Sequence, residues 1–177
     1  MRILVLFASP ASSGGKYLGE EMVRRVSQVG QILQNENDLH VLFAQGASGY
    51  QPNEIYGEYV RVHLVDMGIA VQRIHSTGMT ASTVGEVDVF ENFLFENKNF
   101  HQVLIASPRY QMYRSRFIFW WKYNRSTVPM YLSVKGVPWG YLLLRSLMEF
   151  VKFPLYFFLS KGAQDNVNKK ILGPRGL

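Results

Sequence analysis

The sequence predicts a three-layer, Rossmann-like doubly wound α/β domain with a mainly parallel sheet of about five strands and a long C-terminal helix. Three observations carry that expectation. Short apolar, β-branched runs alternate with stretches of helical spacing, an order that calls for parallel strands joined by crossovers. The runs are continuously apolar, as strands covered on both faces must be. The length of 177 residues suits a single core of ordinary size.

The elements follow in order. Residues 2–8, "RILVLFA", read as a first buried strand; the apolar stretch is short for a secretory signal, and helical periodicity follows soon after. Residues 40–44, "HVLFA", make the second strand, and Val60, Leu64 and Met67 then mark a helix face. Residues 71–74, "VQRI", make the third, followed by Val87, Phe90 and Leu94 at helical spacing. Residues 102–106, "QVLIA", make the fourth; Ser107 is read as the N-cap and Pro108 as the first residue of the next helix. In that helix the run Phe117 to Trp121 is apolar almost all round, the pattern of burial. Residues 128–134, "VPMYLSV", fit an edge strand, where Pro129 is tolerated. Residues 141–159 read as an amphipathic, proline-kinked closing helix: Arg145, Glu149, Lys152 and Pro154 are each costly in hydrocarbon. The domain is placed at 1–163, and 164–177 is a polar tail whose last residues are expected to be loosely held.

Composition narrows the chemistry. The chain has no cysteine, which excludes disulfides, thiolate catalysis and cysteine-ligated metal centres. A net charge of +6 favours anionic partners. In a doubly wound sheet, ligands sit outside the carboxyl ends of the strands where strand order reverses. Four loops reach that edge. "SPASSGGKY", residues 9–17, lacks the Walker spacing, but Ser9, Gly14, Gly15 and Lys16 enter a helix and can meet an anion; a flexible loop with a solvated lysine is the alternative. Gln45 and Gly46 follow the second strand. Thr83 and Glu86 have the spacing of a capping box, with a general-base role for Glu86 as the other reading. Tyr110 and Arg114 share a helical face, so the Arg114 guanidinium can reach back toward the cap as a fork for phosphate or carboxylate, or else form an ion pair with Glu86. Of the four histidines, only His75 is expected near the crevice, and no metal site is predicted.

Taken together, these residues resemble a family of bacterial proteins of uncharacterised function typified by YdcF, SanA and ElyC. The resemblance runs through most of the chain and rests on "STVGE" (Thr83, Glu86), "SPRYQMYR" (Tyr110, Met112, Arg114), Gly68 closing the second helix, and Arg145 and Glu149 in the last helix. The sequence departs from the family pattern at Gln111, where the family has histidine, at Ala44-Gln45-Gly46 in place of Ser-Gly-Gly, and at Tyr56 near a usual glutamate. Glutamine hydrogen-bonds but does not titrate. The resemblance, closest in layout to the YdcF branch, implies a Rossmann-like domain, a cytoplasmic location and a ligand like S-adenosylmethionine.

The leading reading is therefore a site for S-adenosylmethionine or another nucleotide-like or anionic small molecule among Ser9, Gly14, Gly15, Lys16, Gly46, Thr83, Ser107, Tyr110, Gln111 and Arg114. An enzyme built on it would be a hydrolase or group transferase, with Glu86 as base and Arg114 as charge stabiliser. The alternative is a non-catalytic, envelope-associated or peripheral membrane interaction protein using the aromatic and basic stretch 139–161. Nucleic-acid binding through Arg109, Arg116, Lys122 and Arg125 ranks last.

Overall fold

The computed structural model describes residues 1–7, 20–45, 56–78, 80, 83–133, 139–140, 142–144 and 146–147. Five strands form one sheet: β1 (Arg2–Leu6), β2 (Leu39–Ala44), β3 (Ile74–Thr77), β4 (Gln102–Pro108) and β5 (Val128–Leu132). Their order is β3-β2-β1-β4-β5, and every pairing is parallel. Strand order thus reverses between β1 and β4, the switch point of a doubly wound sheet. Four helices connect the strands: α1 (Glu20–Asn35), α2 (Tyr56–Asp66), α3 (Thr83–Glu96) and α4 (Arg109–Tyr123).

The pleat divides β1 between two cores. Leu4 and Leu6 point to one face and pack with Met22, Val26, Val29 and Leu33 of α1 and Val60 and Leu64 of α2. Ile3, Val5 and Phe7 point to the other and pack with Val87, Phe90 and Leu94 of α3 and Ile118 and Phe119 of α4. The Phe7 ring meets Phe90 and Phe119 edge-on, with centroids 5.5 and 6.3 Å away. Both faces of the sheet are therefore covered, as the continuously apolar strands require.

Three expectations are corrected. The third strand starts at Ile74, where the sequence reading ends it; Val71–Arg73 instead form a turn of 3₁₀ helix. The Arg73 side chain explains the shift: it donates to the carbonyls of Leu33 (2.8 Å) and Leu39 (3.0 Å), which ties the turn to the end of α1 and leaves Val71 exposed. The strand proper is polar and half-buried, so apolar scanning passes over it. Next, Ser107 is not the cap of α4. It stays in β4 opposite Tyr131, and Pro108, extended at φ −59° and ψ 152° and paired with Leu132, is the N-cap. The ladder to β5 and the bias of a pre-proline residue toward extended backbone both hold Ser107 in the strand. Finally, α4 is not buried all round. Ile118 and Phe119 face the core, whereas Trp120 and Trp121 are more than half exposed.

Pro129 lies in β5, which among the described residues pairs with β4 alone, as an edge position allows. The described positions between 139 and 147 are helical; the rest of the segment expected as a closing helix and the expected tail lie outside the described residues.

Candidate functional site at the β1–β4 switch

At the carboxyl end of β1 a buried arginine from α1 reaches the Phe7 carbonyl. Arg25 Nη1 donates to Phe7 O and to Gln111 Oε1, both at 3.1 Å. Arg25 Nη2 donates to the Tyr110 hydroxyl at 3.0 Å and to the Glu21 carboxylate one helical turn earlier. The Tyr110 hydroxyl in turn donates to Glu21. Because guanidinium nitrogens only donate, the Gln111 amide must turn its oxygen toward Arg25. One side chain thus joins α1, on one face of the sheet, to the first turn of α4, on the other, across the point where strand order reverses.

Burial and charge act together here. The Arg25 side chain is 3% exposed and Glu21 17%, so the pair sits in a low-dielectric setting where its geometry is tightly held. Burial pushes the Tyr110 phenol above its ordinary value; Arg25 opposes the rise, and Glu21 adds to it. Tyr110 therefore stays a neutral donor throughout the physiological range.

A second group lies where α3 meets α4. Arg114 is buried and gives an Nη2 hydrogen bond of 2.8 Å to the Thr83 hydroxyl; Thr83 is the first residue of α3, and buried Glu86 lies one turn further on. Arg114 thus reaches across to the start of α3. Near the end of β4, Ser107 is fully buried, and its hydroxyl has no hydrogen-bond partner among the described residues. Thr77, ending β3, has a buried hydroxyl in the same condition. Gln45 follows β2, exposed, and donates to Ser76 Oγ at 3.3 Å. In dinucleotide-binding folds that position carries an acidic residue for a ribose hydroxyl; a neutral amide accepts either a hydroxyl or an anion.

Of the expected site residues, Tyr110 and Gln111 share one network, Thr83 and Arg114 share a hydrogen bond, and Glu86 and Ser107 are buried at the same edge. Ser9, Gly14, Gly15, Lys16 and Gly46 lie outside the described residues. His75 is not at the crevice. It lies opposite Leu42 in mid-strand, and its ring stacks on His40 at 5.2 Å with Nε2 2.9 Å from His40 Nδ1. The later start of β3 puts it there. Among the described residues, no group of three or more His, Asp or Glu side chains could hold a metal ion.

Arg25 and Glu21 are the residues that sequence reasoning missed. A signal was present: Arg25 falls on the core stripe of α1, three residues after Met22 and four before Val29. A charge on an apolar stripe must find buried partners. Comparison with known protein families, with curated proteins and with solved structures finds no match for this chain.

Proposed function

We propose that the chain binds a nucleotide-like or otherwise anionic small molecule at the carboxyl edge of the sheet, across the β1–β4 switch, with S-adenosylmethionine as the first ligand to test. The observation that carries this reading is the convergence of Arg25, Tyr110, Gln111 and the Ser107 hydroxyl, unpartnered among the described residues, on the ends of those two strands. The donor set supports it: an arginine-rich edge with hydroxyls and an amide offers N–H and O–H groups to carboxylate, phosphate or ribose oxygens. As an enzyme the protein would be a hydrolase or group transferase, with Glu86 as base and Arg114 stabilising developing negative charge. Gln111 cannot exchange a proton, so catalysis would rest on the α3–α4 group. The resemblance to YdcF-like proteins belongs to the same proposal.

Thermal unfolding of wild type and Arg114→Gln with S-adenosylmethionine, S-adenosylhomocysteine, nucleotides and sugar phosphates tests it. A ligand at one hundred times its dissociation constant adds about 2.7 kcal/mol of stability, a readily measured shift in midpoint. A shift with one ligand class that Arg114→Gln abolishes and Arg114→Lys partly restores supports the reading. No shift with any of them, and a large loss of stability in Arg114→Gln alone, makes the arginine structural and overturns it.

A further inference from the structure

The charge on this chain is segregated. Residues 109–177 hold 12 Lys and Arg against two acidic residues, Glu149 and Asp165, whereas residues 1–108 hold 7 against 11. Charge asymmetry of that kind points to an anionic surface as partner. The same part of the chain exposes its large apolar side chains. In the helical positions between 139 and 147, Trp139 is 76% exposed, Leu143 46%, Leu144 57% and Leu147 56%. Trp139, Leu143 and Leu147 follow at i, i+4 and i+8 with Leu144 beside them, so they make one face, and that face meets solvent. On α4, Tyr113, Trp120 and Trp121 are exposed as well.

We propose that the 139–147 face docks on the surface of an anionic lipid bilayer, a property beyond the ligand site. A helix with tryptophan and leucine on one side and an excess of cations around it lies in the interface plane, its apolar side sunk to the headgroup boundary. Tryptophan, apolar in body with a polar N–H, favours that depth. Through Leu159 the sequence stays apolar and aromatic, with Arg145, Glu149 and Lys152 interspersed, charges that suit the interface and not the hydrocarbon centre. Two other occupants fit less well. A second copy related by a twofold axis would bring together two segments with a cation excess, since residues 134–177 hold seven Lys and Arg against two acidic residues. Single-stranded nucleic acid would use the tryptophans but gain nothing from three exposed leucines, which have no ring to stack on a base.

The test is sedimentation of the full chain with phosphatidylcholine vesicles, with and without phosphatidylglycerol, for wild type and the triple variant Trp139→Ser, Leu143→Ser, Leu147→Ser. All three side chains are exposed, so the variant should keep the wild-type unfolding midpoint. The expected result is binding to anionic vesicles that is weakened by salt, a blue shift in tryptophan emission on binding, and affinity about tenfold or more lower for both neutral vesicles and the triple variant. If the triple variant does not fold, the wild-type lipid preference, salt dependence and emission shift still decide the matter. Sedimentation with neither vesicle, or equally with both, overturns the proposal. So does a concentration-dependent dimer that the triple variant abolishes, which assigns the face to a second copy, or salt-sensitive binding to a single-stranded oligonucleotide with vesicles ignored.

Discussion

Arg25 joins the two helical layers through four acceptors, and removing its guanidinium takes a donor from all of them at once. In Arg25→Met the Glu21 carboxylate loses its cation in a setting with little water, and the Phe7 carbonyl and Gln111 amide oxygen lose their donor. Breaking a buried ion pair from one side costs about 3–5 kcal/mol, so chemical denaturation of Arg25→Met should show a loss of that size. The double variant Glu21→Gln, Arg25→Met should recover part of it, since no uncompensated charge then remains. A second residue-level prediction concerns His40 and His75. Burial lowers both imidazoles below the ordinary value of 6.5; for His40, Arg73 and the amino terminus add to the effect while Asp38 opposes it, and for His75 the neighbouring His40 adds to it. Phe93 and Phe100 pack against the pair. Since the folded chain favours the neutral rings, the unfolded chain takes up more protons below pH 6.5, and stability is full above that value and falls as pH drops below it. Unfolding midpoints measured from neutral to mildly acidic pH should show that decline, and His75→Phe should flatten it. Only part of this scale was legible beforehand. Tyr110, Gln111 and Arg114 announce themselves by following a strand end, but Arg25 finds Tyr110 and Gln111 across some 85 residues, and nothing local encodes such a partnership.

The helix ends obey local rules closely enough to argue substitutions one by one. α2 stops at Gly68, whose φ of +84° only glycine adopts without strain; its N–H bonds Val65 O at 2.8 Å and that of Ile69 bonds Leu64 O at 3.1 Å, while Leu64 and Ile69 meet in the core. A Cβ at Gly68 would touch nothing within 4 Å, so Gly68→Ala isolates the backbone penalty of about 1–2 kcal/mol. Gly57, in the first turn of α2, presents the opposite case. Its Cβ would meet the Gln45 backbone Cα at 3.0 Å and the Phe43 ring at 3.3 Å, and its N–H bonds Gln45 O at 2.9 Å. Alanine offers up to about 1 kcal/mol of helix propensity, yet backbone overpacking costs about 1–3 kcal/mol, so Gly57→Ala should destabilise in an equilibrium unfolding measurement. A stabilised Gly57→Ala would mean that the β2–α2 approach is looser than the structure has it. At this scale the sequence spoke clearly for apolar periodicity, as at Val60, Leu64, Val87, Phe90 and Leu94, all buried. It misled at β3, where a polar strand owes its place to pairing with β2, and at α4, where apolar character and burial part company because Tyr113, Trp120 and Trp121 are exposed.

Architecture was legible because it rests on many weak signals that agree. Alternation of strand and helix, apolar runs without polar interruption, and a proline in the last strand each point to a parallel sheet with that strand at the edge, and the observed order places β1 at its centre. The site was less legible because each of its residues depends on where a distant element lands. Central placement has a measurable consequence. β1 is flanked by β2 and β4 along its whole length, and Ile3 to Leu6 are fully buried, so opening its amides requires disrupting both faces of the domain. Among the described residues β5 has one neighbour, β4, and β3 has one, β2; Val128 and Tyr131 of β5 are exposed. Native-state hydrogen exchange should therefore rank β1 slowest, at or near the free energy of global unfolding, with β2 and β4 next and β3 and β5 fastest. The Tyr110–Arg25–Gln111 bridge sharpens the expectation, because it ties the first turn of α4 to the end of β1 and so to the most protected strand. In Arg25→Met, exchange at the start of α4 should accelerate more than exchange in β3. Equal acceleration in both would show that the bridge supports the fold as a whole and does not specifically hold the edge at which the ligand is proposed to bind.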